Sequence, residues 1–178
     1  YASVGIHPHE AKYAQNLYLD TIKKKSYHKK VVAIGEIGLD YHYNFSDPSI
    51  QKKVFREQLE LASELDLPAI IHCREADEDL YRIILESNHR QGVIHCFASN
   101  LQFAKKIIDL GYYISFTGMI TFVNELESVI ETIDIKHIML ETDSPYLAPI
   151  PYRGKTNQPA YVYQIAQKIA DIKKISIE

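Results

Sequence analysis

The sequence predicts an α/β fold in which parallel strands alternate with covering helices. Short apolar runs rich in β-branched residues alternate with longer amphipathic stretches, and short links join them, an order typical of parallel sheets wrapped by helices. A length of 178 residues, with 46% hydrophobic and 24% charged residues, suits one soluble domain with a buried core. We therefore expect a single domain over residues 1–178.

Six runs are predicted as strands because each is short and almost continuously apolar, as strands of a covered parallel sheet are. They span residues 2–8, 30–40, 67–74, 92–97, 112–122 and 137–145. The stretches after the second run have apolar residues at helical spacing, and the one that follows the second run is bounded by Pro48 at its start and Pro68 after its end. Predicted helices span residues 49–66, 77–88, 100–111, 123–133 and 158–174.

Polar residues at the strand ends decide between an open doubly wound sheet and a barrel. No glycine-rich phosphate fingerprint follows the first strand, which disfavours a nucleotide-binding open sheet. In a (β/α)₈ barrel the carboxyl ends of all strands meet at one mouth, so ligand-type residues there can share a centre. These residues are His7, His9, Glu36, Asp40, His72, Arg74, His95, Glu141 and Asp143. We therefore predict a (β/α)₈ TIM-type barrel.

Four of these residues favour a metal site. One histidine at a strand end is usually a core residue held by a single partner, because a buried polar group must be satisfied. Two histidines, His72 and His95, with one glutamate and one aspartate at matching positions of four strands favour a ligand set instead. Carboxylates with neutral imidazoles suit Zn²⁺, Mn²⁺, Fe²⁺ or Mg²⁺.

The two cysteines raise a rival interpretation, a zinc site of two cysteines and two histidines. Cys73 follows His72 directly and Cys96 follows His95, and neighbouring residues of a strand point to opposite faces. One metal cannot readily take both members of each pair. We predict that the cysteines face the helices as small buried side chains, which also argues against a nucleophilic role.

Basic residues near the predicted mouth suggest a phosphate-bearing ligand. Arg74 follows a strand end, and residues 151–162 form a polar segment with Arg153, Lys155 and Asn157. Guanidinium and ammonium groups match phosphate oxygens well, although a solvated turn is the alternative for this segment.

Net charge, apolar runs and cysteines indicate which ligands and which cellular compartment to expect for the protein. The net charge of −3 provides no global basic field for nucleic acid, and residues 23–30, which are rich in lysine, are interpreted as a solvated face. No apolar run approaches the roughly 20 residues of a membrane span. Two cysteines without disulfide-like spacing fit a reducing compartment, so we expect a cytoplasmic protein.

Seven stretches, in order along nearly the whole chain, resemble the TatD family of metal-dependent deoxyribonucleases, which are amidohydrolase-like barrels. They are VGIHPHE (4–10), AIGEIGLDYHY (33–43), PAIIHCREA (68–76), GVIHCFAS (92–99), ISFTGMITF (114–122), LETDSPYLAP (140–149) and RGKTNQPAYV (153–162). The family's first strand carries a His-x-His pair that this sequence lacks. The resemblance thus implies a barrel without its first two βα units and its last helix, and a partial metal site.

The resemblance also implies roles for individual residues. Glu36, His72, His95 and Asp143 would be the metal ligands. Glu36 would bridge two divalent ions (Mg²⁺, Mn²⁺ or Zn²⁺), and Asp143 would orient or deprotonate the attacking water, which makes these two the catalytic residues. The residues on the substrate side would be His7, Arg74 and Arg153, to which the polar segment adds Asn157.

The implied reaction is hydrolysis of DNA phosphodiester bonds, at single-stranded or 3′ ends. Two alternatives remain open. One is an amidohydrolase-like enzyme for a small C–N or ester substrate, against which the polar segment RGKTNQP (153–159) argues. The other is an inactive barrel remnant, which retention of four predicted ligands disfavours.

Overall fold

The computed structural model describes residues 1–43 and 45–177, which form two compact units. The first unit comprises Tyr1–His95 and Leu110–Tyr112, and the second comprises residues 96–109 and the chain from Tyr113 onward. The single domain over residues 1–178 stays a prediction.

Four parallel strands build the first unit, and they neighbour one another in chain order. They are β1 (Ala2–Val4), β2 (Val31–Asp40), β3 (Ala69–Arg74) and β4 (Gly92–His95). In the register of these strands His72 lies opposite Gly38 on one side and opposite His95 on the other. Asp40 lies opposite Arg74, so β2 and β3 end together, and β4 ends beside His72; the side chains near these carboxyl ends therefore come together.

Three helices follow these strands: α1 (Tyr18–Ser26), α2 (Pro48–Glu64) and α3 (Asp77–Ser87). The start of α2 is set by Pro48 in its first turn and by Asp47, whose side chain accepts a hydrogen bond from the Ser49 N–H at 2.8 Å. Strands and helices bury a common apolar core, which includes Ile34, Ile37, Leu39, Phe55, Leu59, Ile71, Leu80, Ile83 and Ile84.

The second unit contains two parallel strands and three helices: α4 (Leu101–Asp109), β5 (Tyr113–Phe116), α5 (Glu127–Thr132), β6 (Ile138–Leu140) and α6 (Val162–Lys173). Its core is formed by apolar residues of all five elements except β6, among them Ile107, Ile114, Phe116, Ile130, Ile165 and Ile169. None of the helices in the described part of the chain has the length and apolar composition that a membrane span requires.

Several predicted elements are shorter in the structure: the strand over 92–97 ends at His95, that over 137–145 spans Ile138–Leu140, and the helix over 123–133 spans Glu127–Thr132. Three further differences are larger. The first predicted strand ends at Val4, because Pro8 begins a 3-10 turn that runs to Tyr13. The run at 112–122 continues after β5 as a 3-10 turn, Gly118–Thr121, rather than as strand. Helix α1 was not predicted; its only buried apolar residue is Ile22, so the helical pattern is weak.

Candidate metal centre

Three imidazole rings of the first unit converge on one oxygen of Glu36. The distances to Glu36 Oε1 are 2.6 Å from His95 Nε2, 3.0 Å from His72 Nδ1 and 3.3 Å from His7 Nε2. Glu36 belongs to β2, His72 and His95 come from the neighbouring β3 and β4, and His7 follows β1. The level ends of the parallel strands thus produce the cluster that the sequence predicted for Glu36, His72 and His95.

Glu36 is a carboxylate in this cluster. Burial alone would raise the pKa of Glu36, but its hydrogen bonds with His7, His72 and His95 outweigh the burial and hold that pKa far below its usual range. One ligand-type atom from each of His7, Glu36 and His72 lies within 4.8 Å of the other two, a spacing that a single cation could occupy.

Asp40 contacts the second ring nitrogen of His72, Nε2. Its Oδ2 lies 2.9 Å from His72 Nε2 and 3.0 Å from His9 Nε2, and its Oδ1 accepts the backbone N–H groups of His42 and Tyr43 at 3.1 and 3.0 Å. Burial raises the pKa of Asp40, but the hydrogen bonds from Tyr43, His9 and His72 outweigh it and lower that pKa. Asp40 is therefore a buried carboxylate that accepts hydrogen bonds on both oxygens.

Both ring nitrogens of His72 face a carboxylate oxygen, Nε2 that of Asp40 and Nδ1 that of Glu36. A neutral imidazole has one N–H, and a metal ion on Nδ1 would need the lone pair of that nitrogen, so the ring that binds a metal carries its proton on Nε2 and donates it to Asp40. That lone pair lies 3.0 Å from Glu36 Oε1, and two electron-rich atoms so close require a cation, either a proton on the ring or a metal ion. An imidazole lone pair beside a carboxylate, with the other ring nitrogen held by a second carboxylate, is a donor set that fits a divalent metal.

His7 plays a different part. Its Nδ1 accepts the backbone N–H of His9 at 3.1 Å, so in the neutral ring the proton is on Nε2, the atom 3.3 Å from Glu36 Oε1. His7 therefore donates a hydrogen bond to Glu36, and of the three clustered residues Glu36 and His72 are the ones left to offer electron pairs to a cation. This geometry agrees with the predicted place of His7 on the substrate side, a role that stays a prediction.

Two buried glutamines of α2 hold the strand ends that carry the cluster. Gln58 accepts the Ile6 N–H at 2.6 Å and donates to the Ile6 carbonyl at 3.1 Å, directly before His7. Gln51 accepts the Asp40 N–H and donates to the Asp40 carbonyl, each at 2.9 Å. Each amide replaces a neighbouring strand's hydrogen bonds at a point where the ladder ends.

Cys73 contacts the helix that follows its strand rather than the histidines. The Cys73 thiol contacts Asp77 Oδ1 at 3.4 Å at the start of α3, and burial raises the pKa of this thiol well above its usual value. In the second unit the Cys96 sulfur lies 3.6 Å from Thr117 Oγ1, and the two cysteines are not joined in a disulfide. A thiol kept protonated is a poor zinc ligand and a poor nucleophile.

Three further predicted site residues lie in the second unit. Asp143 has a φ of +53°, a left-handed conformation that aspartate tolerates better than most residues. Asn157 is buried, and its Nδ2 donates to the carbonyls of Thr142 and Tyr146, both at 2.6 Å, so it holds the loop that carries Asp143. The guanidinium of Arg153 stacks on the Phe122 ring at 3.8 Å. Metal binding by Asp143 and substrate binding by Arg153 and Asn157 stay predictions.

Asp40, His9 and the two glutamines were not predicted as site residues. Asp40 and His9 stood among the polar strand ends, but no spacing distinguishes a ligand from the residue that orients it. Gln51 and Gln58 carry a clearer signal, since polar side chains at core-facing positions of an amphipathic helix must find buried partners.

Comparison with known proteins agrees with this geometry. Residues 1–178 match the family described as TatD related DNase. The chain is 43% identical to the metal-dependent hydrolase YabD of Bacillus subtilis over 182 residues, which cover 100% of this chain and 71% of YabD. It is 37% identical to the metal-dependent hydrolase YcfH of Escherichia coli over 180 residues, which cover 99% of this chain and 67% of YcfH.

Solved structures agree as well. YjjV, a TatD homologue from Escherichia coli, superposes with a TM-score of 0.93 at 30% identity, over 99% of this chain and 70% of YjjV. A TatD family hydrolase from Entamoeba histolytica gives a TM-score of 0.88 at 30% identity, over 98% and 68% of the two chains. The predicted fold class, an incomplete (β/α)₈ TIM-type barrel, is confirmed. The chain belongs to the TatD-related DNase family, a family of metal-dependent hydrolases.

Proposed function

We propose that the protein hydrolyses phosphodiester bonds of DNA with divalent metal ions bound around Glu36. The observation that supports this most directly is the pair of imidazole nitrogens, His72 Nδ1 and His95 Nε2, at 3.0 and 2.6 Å from one Glu36 oxygen. Membership of a family described as TatD related DNase supports DNA as the substrate.

The residues of this chain divide the work between holding cations and holding substrate. Glu36, His72 and His95 would bind a divalent ion, and we propose that Asp143 completes the site and orients the attacking water. When bound, divalent cations would supply Lewis-acid stabilisation of phosphate charge and would acidify water. Two such ions are proposed, with Glu36 shared between them.

The substrate side is assigned by charge and proton position. His7 carries its proton on Nε2 and can donate it in a hydrogen bond to a phosphate oxygen as well as to Glu36. Arg74 is exposed at the end of β3, and within the described residues it has no ion-pair partner, so its guanidinium is available for phosphate. We propose single-stranded or 3′ ends as the preferred substrates, with Arg153 as a second phosphate contact.

A nuclease assay tests the proposal. The full-length protein is incubated with single-stranded and 3′-recessed DNA in Mg²⁺ or Mn²⁺, and in EDTA. We expect metal-dependent cleavage that Glu36→Gln and Asp143→Asn both abolish, while Glu64→Gln, on the exposed end of α2, retains it. Absence of cleavage by a folded, metal-binding protein would refute the DNase proposal and favour a small C–N or ester substrate. Absence of metal binding would favour a remnant without activity.

A further inference from the structure

An exposed pair of aromatic rings lies in the loop after β2, beside the Glu36 cluster. The rings of Tyr43 and Phe45 are nearly parallel, with an angle of 19° and centroids 5.3 Å apart. Tyr43 is 41% exposed and Phe45 is 51% exposed, so the pair presents apolar ring surface to solvent. Adjacent exposed aromatic side chains at the edge of a polar site are typical of a ligand contact rather than of a core.

One side chain connects this pair to the cluster. The His9 ring contacts Phe45 at 4.8 Å and Tyr43 at 5.4 Å between centroids, edge to face in both cases. His9 Nε2 lies 3.0 Å from Asp40 Oδ2, the same oxygen that lies 2.9 Å from His72 Nε2. The aromatic pair is therefore held in place by the network that orients His72.

The charges around the pair suit an anionic ligand with a flat apolar part. The Arg74 guanidinium carbon lies 4.8 Å from the centre of the Tyr43 ring, so a cation and an aromatic face are presented together. Two carboxylates lie near the pair: Asp40 has hydrogen-bond partners on both oxygens, and Glu75 lies 2.6 Å from His42 Nδ1, which reduces their repulsion of a phosphate.

We propose that Tyr43 and Phe45 form a stacking platform for a nucleobase of single-stranded nucleic acid, with Arg74 on an adjacent phosphate. The inference rests on the proposed function and names the part of the substrate that this surface holds. Aromatic rings stack on any base, so the platform binds without sequence preference. In a duplex the bases already stack on one another, so the platform favours unpaired ends.

Fluorescence tests the platform without cleavage. The 178 residues contain no tryptophan, so Phe45→Trp adds a fluorophore whose signal is assigned by comparison with Tyr27→Trp, at an exposed tyrosine after α1. In EDTA, a single-stranded oligonucleotide should quench Phe45→Trp but not Tyr27→Trp, and an abasic oligonucleotide of equal length should quench neither. Equal quenching by both oligonucleotides, or none at Phe45→Trp, would overturn the proposal.

Kinetics distinguish a loss of base stacking from a structural effect of the substitution. Stacking on one aromatic side chain changes affinity by roughly 5- to 150-fold. Phe45→Ala should therefore raise KM for a base-bearing single strand by about tenfold or more, and leave the abasic strand unchanged; Tyr27→Ala should change neither. A similar loss on both strands would show a structural role for Phe45 and overturn the platform. If the unaltered protein cleaves no DNA, the proposed function fails, and the quenching experiment alone decides the platform.

Discussion

Replacing Asp40 with asparagine should disturb the metal centre without touching a predicted ligand. The substitution keeps the size of the side chain but turns one of its two acceptor oxygens into an NH₂ donor. In the protein both oxygens accept, Oδ2 from His72 and His9 at 2.9 and 3.0 Å and Oδ1 from two backbone N–H groups at 3.1 and 3.0 Å. Whichever way the amide turns, its nitrogen therefore faces two donors.

The expected magnitude depends on that orientation. If the amide nitrogen faces the imidazoles, His72 relieves the clash by moving its proton to Nδ1, where the proton takes the position of the lone pair that faces Glu36. Loss of a partner that orients a metal ligand typically costs about 10- to 100-fold in metal affinity, or about 1.4 to 2.8 kcal/mol. If the amide oxygen faces them, two backbone N–H groups lose their acceptor, at about 1–3 kcal/mol each in the free energy of unfolding.

The assay measures both quantities on matched variants. Mn²⁺ affinity is measured by competition with a chelator, and the free energy of unfolding is measured by urea denaturation in EDTA. Asp79→Asn is the control, because it removes the same charge from the same unit and alters only the partly exposed contacts of Asp79 with Tyr41, Lys52 and Arg82. Unchanged metal affinity together with an unchanged free energy of unfolding in Asp40→Asn would refute the assignment of the His72 proton to Asp40.

Three further variants test the scaffold. Gln58→Leu leaves a backbone N–H and a carbonyl of the first unit without partners, and urea denaturation should show a loss of about 2–4 kcal/mol in the free energy of unfolding; a loss below about 1 kcal/mol would contradict this. Gly38→Ala places a methyl group 2.0 Å from a carbonyl oxygen of β3 and should lower metal affinity. Gly154→Ala, also at positive φ, meets nothing within 4 Å and should leave metal affinity unchanged; equal losses in both variants would contradict the contact. Burial lowers the pKa of His89 below 6.5, so in mildly acidic solution the unfolded chain binds a proton on His89 that the folded protein does not bind. Stability should therefore fall as pH drops from about 7 to 5, and His89→Gln should flatten this slope in thermal unfolding curves; an unchanged slope would contradict it.

The strands, most of the helices and the centre of the site could be predicted from local patterns. Apolar runs have a length and composition that identify strands, and parallel pairing brings their carboxyl ends to one edge. Glu36, His72 and His95 could therefore be placed together from the sequence. The pairing of His72 with His95 in the register is the physical reason that this succeeded.

The orienting residues could not be predicted because their partners are distant in sequence. Gln58 bonds to Ile6, 52 residues away, and no local pattern specifies which strand end a buried amide will meet. Asp40 and Glu36 are both acidic strand residues, and only the register of β3 shows that His72 contacts one with each ring nitrogen. Helix α1 was not predicted because it buries a single apolar residue, Ile22, directly before a run of three lysines that indicates a solvated face.

The order Glu36, Gly38, Asp40 along β2 explains how one histidine comes to join two carboxylates. His72 lies opposite Gly38, and a Cβ at Gly38 would overlap the His72 carbonyl, so the absence of a side chain lets the two strands approach. From that position the ring reaches Glu36 with Nδ1 and Asp40 with Nε2, at 3.0 and 2.9 Å. Because the two contacts share one ring, a change that fixes the proton on either nitrogen determines what the other can bind. Asp40 thus controls the chemistry at Glu36 through the tautomer of His72, although the two carboxylates need not touch.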